Sequence, residues 1–128
     1  MKHRQYETIL DSVADGVFTI DRDHHITFFN RAAEKITGIS REQAMGQKCF
    51  DVFRANICQT ACALEQTIES GDEIINLHIN ILNSEGRIIP VSVSTSVLRD
   101  ENGEIVGGVE TFRDLSIIEM LRNEIQNR

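Results

Sequence analysis

Residues 84–116 read SEGRIIPVSVSTSVLRDENGEIVGGVETFRDLS. Within this stretch RIIPVSVSTSVL and EIVGGVETF are rich in β-branched residues and bounded by turn formers, which predicts two long strands. DENG joins them, and its Asn102-Gly103 pair suits a tight antiparallel hairpin, because both residue types accept the positive φ such turns use. NSEG, just before, is a second turn. Pro90 cannot donate to a ladder, so it belongs near the start of its strand or at a bulge. One step upstream IINLHINIL alternates with period two: Ile75, Leu77, Ile79 and Ile81 face one way, and Asn76, His78 and Asn80 the other. Three long antiparallel strands therefore follow one another.

The first third of the chain supplies a second hairpin, GVFTID and HITFFN around the polar turn RDHH. Ahead of it Tyr6, Ile9, Leu10 and Val13 recur at helical spacing, so an amphipathic helix is expected over residues 1–15, ending near Asp15-Gly16. Between the hairpins lie short helices. Asn30 can N-cap RAAEKITG, which Gly38 stops, and Ser40 with Gln43 forms a capping box for SREQAMG. In ACALEQTIES, Leu64 and Ile68 share a face with Ala61, and Gly71 ends the helix. Two hairpins flanking a helical insertion predict an α+β fold: a five-stranded antiparallel sheet with short helices over one face and flanking N- and C-terminal helices. The expected division is a leading helix at 1–15, a folded module at 16–113 and an exit helix at 114–128.

Composition narrows the function. Thirteen basic against twenty acidic residues give a net charge of −7, which opposes contact with nucleic acid or an anionic membrane surface. No segment approaches the roughly 20 apolar residues needed to span a bilayer, and the start, MKHRQYETIL, lacks a signal peptide's apolar stretch. A cytoplasmic location is expected. There thiols stay reduced, and three cysteines suit a disulfide framework poorly. No nucleophile-base phrase, Gly-rich phosphate loop or paired carboxylates point to catalysis.

All three cysteines fall in CFDVFRANICQTAC, as Cys49, Cys58 and Cys62. Cys58 and Cys62 lie four apart and would project from one side of a helix. Three thiolates suit zinc or an iron–sulfur cluster, with a fourth ligand from Asp51, an exogenous group or a second protomer. His78 is a poor fourth ligand, because its strand parity turns it away from the core. Reversible thiol oxidation and simple packing, for which cysteine is well suited, stay open beside the metal reading.

After the last strand, Ser116 and Glu119 read as a capping box, with Asp114 adding negative charge at the positive end of the helix. Leu115, Ile118, Leu121 and Ile125 form one stripe, the last three at a-d-a spacing. Such a helix either seals the sheet or pairs with a second copy and passes on movements of the strand it follows.

GVFTID, NRAAEKITGISREQAMGQ and the long run ending in RDLS together resemble the PAS domain family over about residues 5–116, with Asp114, Leu115 and Ser116 similar to the family's Asp-Ile-Thr signature. The resemblance implies a sensory or interaction module with a pocket between sheet and helices, which Val17, Phe28, Ile79 and Val93 are expected to line. It implies no single ligand, and fold does not choose among them. The flavin-photosensor pattern Asn-Cys-Arg-Phe-Leu-Gln is broken here, since the chain offers only Asn56-Ile57-Cys58-Gln59. ACALEQTIES lacks the histidine that ligates haem in oxygen-sensing members, and the absence of Trp disfavours the FAD-binding redox version. FRDLSIIEMLRNEIQNR resembles the linker before the AAA+ ATPase domain of sigma-54-dependent transcriptional activators. The expectation is a homodimeric regulatory module, possessing or lacking a small-molecule ligand, that governs a downstream AAA+ ATPase. The alternatives are a histidine-kinase input domain and a cysteine-based metal or iron–sulfur redox sensor.

Overall fold

Three turns of one design set the hairpins. In the computed structural model, residues 3–55 and 62–126 are described, with side chains except at 3, 4, 6 and 7. At each turn an Asx carboxamide or carboxylate oxygen takes two backbone N–H groups: Asp21 Oδ1 from Asp23 and His25, Asn83 Oδ1 from Glu85 and Arg87, Asp100 Oδ1 from Asn102 and Glu104, all at 2.9–3.0 Å. Each three-residue loop closes with a left-handed residue, His24 at φ 68°, Gly86 at 79° and Gly103 at 81°. This is the type I turn followed by a left-handed residue. The tight hairpin expected at DENG is present, with Asp100 capturing the N–H of Asn102 and, of the Asn102-Gly103 pair, only Gly103 at positive φ.

The order is α1 (His3–Asp11), β1 (Gly16–Asp21), β2 (Ile26–Phe29), α2 (Arg31–Thr37), α3 (Arg41–Ala44), α4 (Cys49–Val52), β3 (Arg54–Ala55), α5 (Ala63–Ser70), β4 (Ile74–Leu82), β5 (Ile88–Arg99), β6 (Ile105–Asp114) and α6 (Ser116–Gln126). The described strands form one antiparallel sheet, β2-β1-β6-β5-β4-β3. It has six strands rather than the expected five, the addition being β3, whose two residues pair with Leu82 and Ile81 and are too few to show a period in sequence. Ala61, which the sequence placed on the face of Leu64 and Ile68, lies outside the described residues.

Caps follow the sequence closely. Asn30 Oδ1 accepts from Ala33 N at 2.9 Å and Gly38 ends α2 at φ 75°. Ser40 and Gln43 make the reciprocal capping box of α3, and Gly71 closes α5 at φ 78°. Asn30 does more than cap. Its Oδ1 also accepts from Val17 N at 2.8 Å, while Nδ2 donates to Leu10 O and Asp15 O at 2.8 and 3.1 Å. One fully buried side chain thus ties α1, β1 and α2 together.

The core lies between the sheet and α2, α4 and α5. Phe18, Ile20, Phe29, Ile81, Val91, Val93 and Phe112 come from the strands, and Ala33, Val52 and Leu64 from the helices. Phe53 meets Phe112 edge-on at 4.8 Å and Phe18 at 5.2 Å, separations at which aromatic pairs attract beyond their buried area. The Gly107-Gly108 pair permits close approach at β6. A Cβ on Gly107 would fall 1.9 Å from the Ile20 carbonyl oxygen, and one on Gly108 would fall 2.7 Å from Leu64 Cδ1. Side chains there would push β1 and α5 away from β6.

Alternation fails at two bulges. In β4, Ile79 and Ile81 are buried as expected, but Ile75 and Leu77 are exposed. The register shifts between Ile74 and Leu77, with Asn76 at φ 55° and its N–H on Ser94 Oγ at 3.1 Å; Asn tolerates this left-handed backbone better than most residues. In β1–β2 the ladder shifts at Thr27, so Phe29 rather than Phe28 pairs with Phe18 in the core. Pro90, third in β5, turns its carbonyl to the side where β6 has just ended, so its missing N–H breaks no ladder bond.

Candidate functional site

Strand parity puts a carboxyl group inside the core. Along β6 the inward positions are Gly108, Glu110 and Phe112, all buried, while Val109 and Thr111 are half-buried on the other face. Glu110 stands between Phe18 of β1 and Thr95 of β5 in the ladder. Thr95 is already engaged, its hydroxyl 2.5 Å from that of Thr67 on α5. The Glu110 side chain reaches a small cavity of about 20 Å³ lined by Phe18, Cys49, Phe53, Ala55, Cys62, Leu64, Ile79 and Glu110 itself, room for about one water-sized group.

The electrostatics of this cavity are unusual for a core. Glu110 is 4% exposed, and its Oε2 has no hydrogen-bond partner among the described residues. Burial pushes its carboxyl up from 4.5 to about 8, because the charged form loses its hydration. Burial likewise pushes the Cys62 thiol up, and the nearby Glu110 carboxyl adds to the effect. Both groups are therefore held in their neutral forms near neutral pH. A buried carboxyl oxygen without a partner among the described residues calls for one, such as a water or a ligand in the cavity.

The expected site residues distribute unevenly. Ile79 lines the cavity, and Val93 lies in the adjoining core, opposite Leu77 and Phe112 in the ladders. Val17 is buried but has the parity opposite to the inward-facing Phe18. Phe28 is displaced from the inner face by the β2 bulge and carries the Arg41 guanidinium over its ring at 5.2 Å; Arg41 in turn donates to Asp11 at 2.7 Å and to the Phe29 carbonyl at 2.6 Å. Cys49 and Cys62 do meet at the same cavity, whereas Cys58 lies outside the described residues. Asp51 opens onto a separate surface hollow with Gln43 and Gln47, away from the thiols. His78 is exposed beside Asn80, Pro90, Leu115 and Glu119.

Glu110 is the residue that sequence reading missed. Its signal was present: GGVETF places a charged residue at the same parity as Gly108 and Phe112. Among the described residues, Asp21, Asp23 and His25 offer atoms within 4.8 Å of one another. Their geometry is that of the turn, Asp21 binding the N–H groups of the other two.

The cavity residue leads directly to the exit. Four residues after Glu110, β6 ends at Asp114, and α6 begins at Ser116. The linking residue, Leu115, is buried and donates its N–H to Pro90 O at 2.8 Å. Asp114 Oδ1 accepts from Ser116 N at 2.8 Å, while Glu119 N donates to Leu115 O at 2.9 Å. The expected Ser116–Glu119 capping box is thus replaced: Ser116 is already helical, and the acid two residues earlier takes its N–H. Along α6 no side chain is buried, and Ile117, Ile118, Met120, Leu121 and Ile125 are exposed. Among the described residues no helix is long and apolar enough to cross a membrane.

Comparison with known proteins accords with this arrangement. The model of the PAS fold matches residues 4–115. The chain is 35% identical over 122 residues to the signal transduction histidine-protein kinase AtoS of Escherichia coli (strain K12), covering 95% of this chain and 19% of that protein. It is 24% identical over 124 residues to the transcriptional activator RocR of Bacillus subtilis (strain 168), covering 96% of this chain and 26% of that one. The chain thus spans about a fifth to a quarter of the length of these relatives. The crystal structure of a PAS domain from Colwellia psychrerythraea superposes with a TM-score of 0.73 at 23% identity, covering 87% of this chain and 94% of that one.

Proposed function

The chain belongs to the PAS family and is homologous to the input domains of sensor kinases and transcriptional activators; on that premise we propose that it senses occupancy of the Glu110 cavity and passes it through β6 to α6 and a downstream output domain. The observation that carries this reading is the unbroken join at Leu115. A shift of β6 relative to β5 moves the Leu115–Pro90 bond and the Asp114 cap together, so the helix cannot stay still while its strand moves. Asp114, Ser116, Ile118, Glu119, Leu121 and Ile125 are the proposed transmission residues.

The output is proposed as an AAA+ ATPase of a transcriptional regulator, in keeping with the linker resemblance and the RocR similarity. A histidine-kinase output is the second reading, favoured by the higher identity to AtoS. In both the chain itself is regulatory and non-catalytic, acts in the cytoplasm and touches neither DNA nor membrane, in line with its charge of −7. The described thiols, Cys49 and Cys62, are proposed as cavity lining. Zinc or iron recovered in stoichiometric amount from anaerobically purified protein would replace that assignment with the metal-sensor reading.

The apolar stripe of α6 is proposed to pair with the same stripe of a second copy. About two heptads are marginal as an isolated pair, so the domain must hold the helices in register. Light scattering is expected to report a dimer, and Leu121→Asp, which puts a charge at a seam position, is expected to give monomer with an unchanged far-ultraviolet spectrum. A monomeric wild-type chain would exclude paired α6 helices as the transmitter. In the full-length protein, two glycines inserted between Leu115 and Ser116 are expected to leave output activity fixed and unresponsive; retained responsiveness would contradict the relay.

A further inference from the structure

We propose that the Glu110 cavity is a site for a small primary ammonium, either the ammonium ion or a short alkylammonium, whose N–H group is received by Glu110 Oε2. This rests on the sensory reading above and adds the chemistry of what is sensed. Among the described residues the cavity offers one unpartnered carboxyl oxygen, beside a space that accepts about one water-sized group. An ammonium head has that size. Phe18 and Phe53, whose ring centroids lie 5.2 Å apart, line the same cavity, and aromatic rings are attractive neighbours for a cation. The sulfur atoms of Cys49 and Cys62 are weak acceptors on the same wall.

Equally telling is what the lining lacks. Among the described lining residues there is no Lys, Arg, His, Asn or Gln, and hence no side-chain N–H donor for an anion. A carboxylate ligand would meet Glu110 and two thiols without a compensating positive group. Among the described residues, the titratable groups facing Glu110 are Cys49 from α4 and Cys62 at the start of α5; β1, β3, β4 and β5 contribute Phe18, Ala55, Ile79 and Thr95, which do not titrate in the accessible range. Binding would therefore exchange a proton for a cation at one residue. The neutral carboxyl releases its proton to solvent, and the resulting carboxylate pairs with the ammonium.

The test titrates the 128-residue chain with ammonium chloride and methylammonium chloride, following the methyl resonances of Leu64 and Ile79. Sodium acetate, acetamide and choline chloride serve as the anionic, neutral and N–H-free cationic counterparts. Saturable shifts are expected with one or both ammonium salts and with none of the others, and the relative affinity of the two tells the free ion from an alkylammonium. Glu110→Gln is expected to weaken binding about tenfold or more. Calorimetry in buffers of different ionisation enthalpy is expected to show release of close to one proton at pH 7, falling toward zero as the pH passes about 8. Acetate or acetamide saturating the same resonances, with Glu110→Gln indifferent, would overturn the ligand class while leaving a sensory pocket in place. No saturable shift from any probe would overturn the ammonium site, and the glycine-insertion experiment at Leu115 would then judge the sensory reading alone.

Discussion

Replacing Glu110 by Gln is expected to stabilise the chain strongly at pH 9 and hardly at all at pH 4. In the folded protein the Glu110 carboxyl keeps its proton until about pH 8, whereas in the unfolded chain it ionises near its ordinary value of 4.5. Between those values the folded state holds one more proton than the unfolded state. Stability from this group is therefore fully present below pH 4.5 and declines as pH rises toward 8, by about 1.4 kcal/mol per pH unit. The integrated loss is on the order of 5 kcal/mol, a large part of a domain's usual margin. Gln has the same shape and no charge to desolvate, so its variant lacks this decline. Urea unfolding of both proteins across this pH range measures the difference directly. Parallel curves would mean that Glu110 is solvated or paired in the folded state, and the cavity chemistry would fail with it.

The second large effect is expected at Asn30. Substitution by Ala removes the cap of α2, leaves the Val17 and Ala33 N–H groups without their acceptor, and frees the carbonyls of Leu10 and Asp15. A lost cap costs about 1 kcal/mol and each stranded buried partner about as much, so about 3 kcal/mol is expected. For a chain of this size that lowers the midpoint of thermal unfolding by roughly 10 °C. Asn30→Ser keeps a capping oxygen but loses the donations to Leu10 and Asp15, and is expected to recover about 1 kcal/mol of the loss. Equal destabilisation by the two would show that the ties to α1, not the cap, carry the stability. Asn30 is one of the ties that hold α1, beside the bonds Asp11 takes from Arg31 N and Arg41.

Turn and cap residues made most of the fold legible. Gly38, Ser40, Gln43 and Gly71, and Asn30 in its role as a cap, act locally on backbone groups a few residues away, so their positions in sequence carry the information. The long strands were legible for the same reason, their alternation being a local property. What failed were readings that assumed alternation continues. Phe28 and Phe29 exchange faces because Thr27 is unpaired, and Ile75 and Leu77 are turned outward by the left-handed backbone at Asn76. A bulge inserts one residue without any change in composition, so an apolar pair such as Phe28-Phe29 gives no clue to which member turns in.

The site was less legible than the fold because it is made by register between distant strands. Of the residues expected to line a pocket, Ile79 lies on the cavity wall, whereas Val17 has the parity opposite to Phe18, and both are buried because β1 is covered on both faces. Glu110 reads as a surface acid until β6 is seen as the central strand between β1 and β5. The join on which the proposed relay rests was legible in outline, with a strand running into a helix at Ser116. Its fastening was not, because the Leu115–Pro90 bond joins residues 25 apart in sequence.

Amide hydrogen exchange along α6, compared between the wild-type chain and Glu110→Gln at pH 4, where the two are expected to be equally stable, probes the coupling from cavity to exit helix most directly. The relay predicts that changing a side chain in the core alters protection of residues 116–126 several-fold, while α2, held by Asn30, keeps its rates. Altered protection in β6 with unchanged rates throughout α6 would contradict it, leaving a folded domain whose last helix ignores its core.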